Sequence, residues 1–189
     1  MNQKQKYRYV ANDPDVRNSA YAIVDEEGKL VDSWVVKAKN IENSAKIHAT
    51  EPLRKIEKDC IYIGAVESQQ FYKGDDARLV KSLLQLARAC GISMSYLSRV
   101  LPLKGEPQLI LPREWTKGRP KTINQFWILN NLGCKSIIKT NTYCWSQDLV
   151  VKHKQSEQKH IVDAIGIAQY IREQHQKQME LAEFKASKK

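Results

Sequence analysis

Three acidic residues and one histidine stand at positions from which they could meet at one edge of a folded sheet. Asp13 follows a short predicted strand, and Glu67 directly follows residues 60–66, whose apolar pattern is typical of a central strand. His160 and Asp163 are three residues apart on a predicted helix, so their side chains share a face. An oxygen-rich set of this kind suits Mg²⁺ or Mn²⁺. Two such ions can activate water and stabilise the leaving oxygen of a phosphodiester.

Each of these residues also has an ordinary structural interpretation. Asp13 precedes Pro14 and is of a type that forms turns. A lone histidine such as His160 is more often a surface residue or a structural hydrogen-bond partner than a ligand. Glu67 is less ordinary, because charged side chains seldom follow a buried strand directly. The combination of the four residues, more than any one of them, favours a site.

The elements that must position these residues follow from the apolar pattern. Three strands, at 7–12, 19–25 and 30–37, are joined by short turns and predict an antiparallel meander. Thr50 is placed to cap a short helix. A helix over 75–90 is predicted to stop at Gly91, and 92–100 is predicted to be a strand. Helices at 120–132 and from 157 to about 183 follow. The predicted core stripe of the 75–90 helix comprises Val80, Leu83, Leu84, Ala87 and Cys90.

This order of elements predicts an α/β fold, in which a mixed β-sheet of an antiparallel three-strand meander plus parallel strands is flanked by helices. We expect a single domain over residues 1–184 and a basic tail at 185–189. The longest apolar stretch is far shorter than the ~20 residues of a membrane-spanning helix. The N-terminal residues also lack the apolar block of a secretory signal.

The four cysteines, at spacings of 30, 44 and 10, fit neither a zinc knuckle nor a disulfide framework. Cys60 and Cys90 lie in apolar patterns and are predicted to be buried thiols. We therefore expect a cytoplasmic protein, either in a bacterium or, for a viral protein, in the host cytoplasm.

Positive charge is concentrated in the second half of the chain. The chain has 31 Lys and Arg against 21 Asp and Glu, a net charge of +10, and residues 91–189 carry 16 of the basic and 8 of the acidic residues. Basic and aromatic residues interleave over 99–159, which suits nucleic acid, because Lys and Arg neutralise phosphates and rings stack on bases. The alternatives are a solvated basic face and an acidic membrane surface. The densest basic loop leads into a predicted helix N-terminus, where backbone N–H groups favour phosphate.

Three segments resemble, in the right order, the motifs of the RuvC-like Holliday-junction resolvases of the RNase H-like superfamily. Residues 12–21 (NDPDVRNSAY) resemble the first-strand motif, residues 65–69 (AVESQ) the second acidic motif, and residues 160–168 (HIVDAIGIA) the last motif, on the C-terminal helix. The resemblance covers about residues 7–171. Asp15 departs from it, because it replaces the usual glycine of the first turn and adds a carboxylate near the site.

The resemblance implies an RNase H-like fold and an endonuclease that resolves four-way or branched DNA, in recombination and repair, with two Mg²⁺ or Mn²⁺ ions per active site. It assigns the catalytic and metal-ligand roles to Asp13, Glu67, His160 and Asp163. In this family an aromatic residue shortly after the glutamate inserts at the junction. We assign the DNA contacts to Phe71, Tyr72, Lys73, Lys117, Arg119 and Lys121.

The resemblance also implies a homodimer, whose expected interface is the 75–90 helix, because Leu79 and Leu86 lie off its main apolar stripe. Two other functions stay open. One is another RNase H-like nuclease, either a ribonuclease for RNA–DNA hybrids or a transposase-like enzyme. The other is a non-catalytic protein that binds branched DNA. The complete acidic set weighs against the second.

Overall fold

A mixed sheet of five strands organises the protein, whose computed structural model describes residues 5–50, 57, 59–68, 77–133, 136–137, 142–143 and 155–188. Its strands are β1 (Lys6–Asp13), β2 (Asn18–Val24), β3 (Leu30–Lys37), β4 (Cys60–Glu67) and β5 (Gln108–Ile110). Their order is β3-β2-β1-β4-β5. The first three strands pair antiparallel, whereas β4 is parallel to β1 and β5 is parallel to β4. The predicted meander and the predicted mixed α/β class are therefore confirmed.

Helices cover both faces of this sheet. On one face lie α1 (Ile41–Thr50) and α2 (Ala77–Val100), and on the other lie α3 (Pro112–Thr116), α4 (Lys121–Asn131) and the long C-terminal helix α5 (Gln155–Ala186). Two short antiparallel strands, β6 (Ser136–Ile137) and β7 (Thr142–Tyr143), form a separate pair. Because side chains alternate along each strand, the two faces have separate apolar cores. Tyr9 and Ala11 of β1 face α5, whereas Val10 faces α2.

Small side chains let α5 lie close to the sheet. Ala11 pairs with Ala22 of β2 on one side and with Ala65 of β4 on the other, so three alanines form a row across the sheet, and all three are fully buried. Ala164 and Ala168 of α5 belong to the same core. Methyl-sized side chains on both surfaces bring the helix backbone near the strands. This close approach places the start of α5 over the carboxyl ends of β1 and β4.

The predicted strand at 92–100 is wrong, because these residues continue α2. Their sequence, ISMSYLSRV, alternates apolar and polar residues at its start, which imitates a half-buried strand. The residues that are buried, however, are Ser93, Tyr96, Leu97 and Val100, at the i, i+3, i+4, i+7 spacing of a helix. Gly91 does not stop the helix, and its own backbone φ is not positive. The fifth strand of the sheet is β5 instead.

The first half of α2 is not a core element either. Of its predicted core stripe, Val80 is 47% exposed and Leu84 is 59% exposed, and only Cys90 is buried. Amphipathic spacing thus identified the helix but not what its apolar face packs against.

The ends of α1 and α5 complete the comparison of the helices with the sequence prediction. Thr50 ends α1, and the short helix predicted to follow it lies outside the described residues. The cap of α1 is Asn40, whose side chain accepts a hydrogen bond from the Asn43 backbone N–H at 2.8 Å. Helix α5 runs through Ala186, so it includes the first two residues of the predicted basic tail. Cys60 and Cys90 are buried free thiols, as predicted. In the described part of the chain, no helix has the length and hydropathy to cross a membrane.

Candidate functional site

Asp13 and Glu67 lie side by side where β1 and β4 end. The two strands are parallel, and Asn12 is paired with Val66, so the residue that follows each of them lies at the same level. Both side chains point to the α5 face, because they continue the alternation that puts Ala11 and Ala65 there. Both are buried, with 5% of Asp13 and 7% of Glu67 exposed. Two parallel strands thus deliver two carboxylates to one edge of the sheet.

Helix α5 brings the other two predicted site residues to the same place. His160 Nδ1 lies 2.7 Å from Asp13 Oδ2. Asp163, one turn later, is fully buried between the helix and the sheet. The structure therefore places Asp13, Glu67, His160 and Asp163 in one cluster, although β1 and α5 are about 150 residues apart in sequence.

Two side chains that the sequence did not single out orient the carboxylates. Trp115 Nε1 of α3 donates a hydrogen bond to Glu67 Oε1 at 2.9 Å, and Gln125 Nε2 of α4 donates to Asp163 Oδ1 at 2.8 Å. A Cβ at Gly166 would lie 2.8 Å from Cζ3 of the Trp115 ring, so this glycine leaves room for the indole. Gln125 could have been found from its position four residues after Lys121, because this spacing places both side chains on the same helix face.

The three basic residues predicted to contact DNA have three different partners. Lys121 Nζ lies 2.6 Å from Asp163 Oδ2, inside the carboxylate cluster. Lys117 Nζ pairs with Glu173 at 3.0 Å. The Arg119 guanidinium lies 4.8 Å from the centroid of the Trp127 ring, at the protein surface. Phe71, Tyr72 and Lys73 lie outside the described residues.

Asp15, the departure from the family motif, belongs to the turn. Its Oδ1 accepts hydrogen bonds from the backbone N–H of Arg17 at 2.7 Å and of Asn18 at 2.8 Å. An aspartate can therefore take the place of a glycine here, because its side chain closes the turn between β1 and β2.

Burial and crowding shift the protonation equilibria of the cluster. Burial, and then the charge of Asp163, raises the pKa of Asp13 to about 7. Burial and the neighbouring Asp13 raise the pKa of Glu67 to about 8. Burial also raises the pKa of Asp163, against the opposing charge of Lys121. Burial lowers the pKa of His160, so its imidazole is neutral at neutral pH.

The chemistry of these donors fits a divalent cation. Oδ2 of the buried Asp163 has the Lys121 ammonium at 2.6 Å but no hydrogen bond of good geometry within the described part of the chain. Three carboxylates and one neutral imidazole are hard oxygen and borderline nitrogen ligands of the kind that Mg²⁺ and Mn²⁺ bind. Among the described residues, however, no three His, Cys, Asp or Glu side chains are arranged to hold an ion as they stand. Contacts within the protein already engage several of the donor oxygens.

Comparison with known proteins identifies a solved structure with a similar fold. The structure is similar to that of T. thermophilus RuvC in complex with a Holliday junction substrate, with a TM-score of 0.53 and 18% sequence identity, over 86% of this chain and 91% of that chain. No protein-family model matches the sequence, and no curated protein does. The protein thus has the RNase H-like fold of RuvC, as the three motifs implied.

Proposed function

We propose that this protein is a metal-dependent endonuclease that resolves Holliday junctions and other branched DNA. The observation that carries the proposal is the convergence of three buried carboxylates and a histidine on the edge of an RNase H-like sheet. A cluster of acids whose burial raises their pKa values is costly to the fold, and such clusters are typical of functional sites. The fold likeness to a RuvC in complex with a Holliday junction substrate supports the choice of substrate.

In this proposal Asp13, Glu67, His160 and Asp163 hold two Mg²⁺ or Mn²⁺ ions. The bound ions would supply an activated water and a stabilised leaving oxygen for phosphodiester hydrolysis. The chain's own residues set the orientation of the ligands. Trp115 fixes Glu67, and Gln125 fixes Asp163, so neither carboxylate rotates freely. His160 directs Nδ1 to Asp13 and leaves Nε2 for a ligand or for the attacking water.

The surface next to the cluster supports nucleic-acid binding. Phe126 and Trp127 of α4 are each 40% exposed, on the helix that also carries Lys121 and Gln125. The Arg119 guanidinium lies over the Trp127 ring, so a phosphate-binding cation and a stacking ring are adjacent. Lys117 and Lys121 add positive charge at the same helix start. We propose these residues, with Phe71, Tyr72 and Lys73, as the DNA contacts.

We propose a homodimer that pairs through the first half of α2. Of the described side chains between residues 80 and 88, none is buried, although Val80 and Leu84 form an apolar stripe at helical spacing. A second copy related by a two-fold axis would cover the stripe and place two equivalent sites on a substrate of the same symmetry. Leu84→Lys should convert the dimer to a monomer in light scattering, whereas Ser82→Lys, an equal charge change at an exposed polar position, should not. A wild-type monomer at working concentration would contradict this.

The decisive experiment is a cleavage assay on four substrates. An immobile four-way junction, the linear duplex of the same sequence, single-stranded DNA and an RNA–DNA hybrid are incubated with the protein in Mg²⁺ or in EDTA. We expect paired, Mg²⁺-dependent cuts in the junction strands and none in the linear duplex. Preferred cutting of the hybrid would instead identify a ribonuclease. Tight junction binding with no cleavage in Mg²⁺ or Mn²⁺ would identify a non-catalytic binding protein.

A further inference from the structure

A lysine ammonium lies in direct contact with a candidate metal ligand. Lys121 Nζ is 2.6 Å from Oδ2 of Asp163, which is fully buried, while Gln125 holds the other oxygen of the same carboxylate. Burial opposes the charge on Lys121, but the carboxylates of Asp163, Asp13 and Glu67 outweigh it and raise the lysine pKa. The side chain is therefore a cation, and it offsets part of the negative charge of the cluster.

We propose that Lys121 is a built-in counter-ion of the carboxylate cluster, and that a divalent metal ion must displace its ammonium from Asp163 in order to bind. The inference rests on the proposed nuclease function, because it takes Asp163 as a metal ligand. It adds a second role for a residue that the sequence suggested only as a phosphate contact.

The argument for displacement is electrostatic and geometric. A divalent ion bound at Asp163 Oδ2 would lie within a few ångström of the ammonium, where two positive charges repel strongly in a partly buried site. Asp163 cannot move away, because it is buried against the sheet and its Oδ1 is held by Gln125. Lys121 can move, since it is the first residue of α4 and more than half of its side chain is exposed. When the metal ion binds, we therefore expect the Lys121 side chain to move and Asp163 to keep its position.

The position of α4 does not depend on the lysine. Ile128 and Leu129 of this helix are buried in the core under α5, and Gln125 is buried as well. An ammonium that leaves Asp163 can turn into solvent on its flexible stem while the helix stays in place. The displaced cation would then stand at the rim of the cluster, on the side where a substrate phosphate would approach.

Metal affinity without DNA is the test, because it does not depend on cleavage. Lys121→Met removes the competing cation and keeps the apolar stem. Lys117→Met is the matched control, because it removes the same charge four residues earlier, from a lysine that pairs with Glu173 outside the cluster. Mn²⁺ is titrated into each protein at pH 8 by calorimetry. Thermal unfolding is recorded in EDTA and in Mn²⁺.

We expect Lys121→Met to bind Mn²⁺ on the order of ten-fold more tightly than Lys117→Met, since a nearby like charge has been removed. Lys121→Met should also have the lower melting temperature in EDTA, where the cluster has lost its cation, and the larger increase on adding Mn²⁺. Equal or weaker Mn²⁺ binding by Lys121→Met would overturn the inference. A lysine that merely supports the fold would not oppose the metal.

Asp163→Asn separates this inference from the proposed function. If wild type binds Mn²⁺ more tightly than Asp163→Asn does, the metal site stands, and the comparison of the two lysine variants decides the counter-ion role alone. If neither wild type nor Lys121→Met binds Mn²⁺ more tightly than Asp163→Asn, the metal site and the inference both fail.

Discussion

Each face of the sheet has a histidine in a polar network, buried for His48 and half-buried for His160, and the two networks differ in how many ring nitrogens they hydrogen-bond. On the α1/α2 face, His48 uses both ring nitrogens: Nε2 lies 2.7 Å from the Tyr21 hydroxyl, and Nδ1 lies 2.8 Å from the backbone oxygen of Ser44. On the α5 face, His160 uses only Nδ1, toward Asp13, and no described residue is hydrogen-bonded to its Nε2. Both ring nitrogens of His48 are therefore hydrogen-bonded, whereas His160 keeps one ring nitrogen for another group.

The groups around the two histidines differ in the same way. Around His48 the partners are hydroxyls and a backbone carbonyl, which satisfy one another without net charge; the Tyr21 hydroxyl also lies 3.2 Å from the Ser93 hydroxyl. Around His160 the partners are carboxylates that burial and mutual repulsion hold at raised pKa values. Buried polar groups that are fully paired specify a fold, whereas buried charges that lack enough opposite charge indicate a ligand. The comparison therefore predicts a structural role for His48 and a chemical one for His160.

The largest expected effect is the loss of cleavage when a carboxylate of the cluster is replaced. Asp13→Asn, Glu67→Gln and Asp163→Asn should each lower junction cleavage by about 10³-fold or more, because each removes a charged ligand worth several kcal/mol in the transition state. Junction binding should persist or tighten, since a negative charge near the phosphates is lost. Cleavage and gel-shift assays on the same preparations measure both. Glu157→Gln is the matched control, because this buried carboxylate of α5 pairs with Lys37 at 2.6 Å. Near wild-type cleavage by any of the three variants would remove that residue from the ligand set.

Substitution of the two histidines should have different effects, on cleavage for His160 and on stability for His48. His160→Ala is expected to lose about 10- to 100-fold in cleavage with little change in melting temperature. His48→Ala should keep its cleavage rate when folded but lose about 1–3 kcal/mol of stability, because the buried Tyr21 hydroxyl loses its hydrogen bond to His48. Single-turnover cleavage at 20 °C and thermal unfolding give the two readouts. Loss of cleavage by fully folded His48→Ala would contradict the contrast between the two faces.

Gly166→Ala tests whether the packing of Trp115 against α5 is needed to orient Glu67. The Cβ of Gly166→Ala would lie 2.5 Å from Ile128 Cδ1 and 2.8 Å from the Trp115 ring, so the indole that holds Glu67 must shift. We expect about 10-fold slower cleavage and a loss of about 1–3 kcal/mol, typical of overpacking. Gly91→Ala is the control, because nothing lies within 4 Å of its added Cβ, and it should stabilise α2 slightly. Wild-type cleavage by Gly166→Ala would mean that Trp115 does not orient Glu67.

The smallest effect is the pH dependence of stability without metal. The folded-state pKa values of Asp13 and Glu67 are raised to about 7 and 8, so the folded protein binds protons that the unfolded chain has already released. Stability should therefore fall as pH rises from 6.5 to 9, by on the order of a few degrees in melting temperature in EDTA. Mg²⁺ should reduce this slope, and Glu67→Gln should flatten it. A melting temperature in EDTA that rises over this range would contradict the raised pKa values.

The sequence predicted that the four side chains of the cluster lie together, because local rules determine much of their placement. Asp13 and Glu67 follow strands whose ends meet, and His160 and Asp163 are one helical turn apart, so pattern and spacing sufficed. Trp115 and Gln125 could not be predicted in the same way. They reach the cluster from α3 and α4, and the docking of these helices depends on the space left by Gly166, which is a tertiary contact. The error at 92–100 has a similar cause, because alternation over a few residues does not distinguish a strand from one face of a helix.

The row of alanines across β2, β1 and β4 sets a limit on how the sequence can vary. Ala11, Ala22 and Ala65 carry no chemistry, yet each fills the narrow space between the sheet and α5. A larger side chain at any of them would push away the helix that carries His160 and Asp163. In a saturation mutagenesis experiment scored for activity, these three positions should therefore be as intolerant as the acidic residues. Glycine and serine would be the substitutions that survive, since side-chain volume is what selection would act on there.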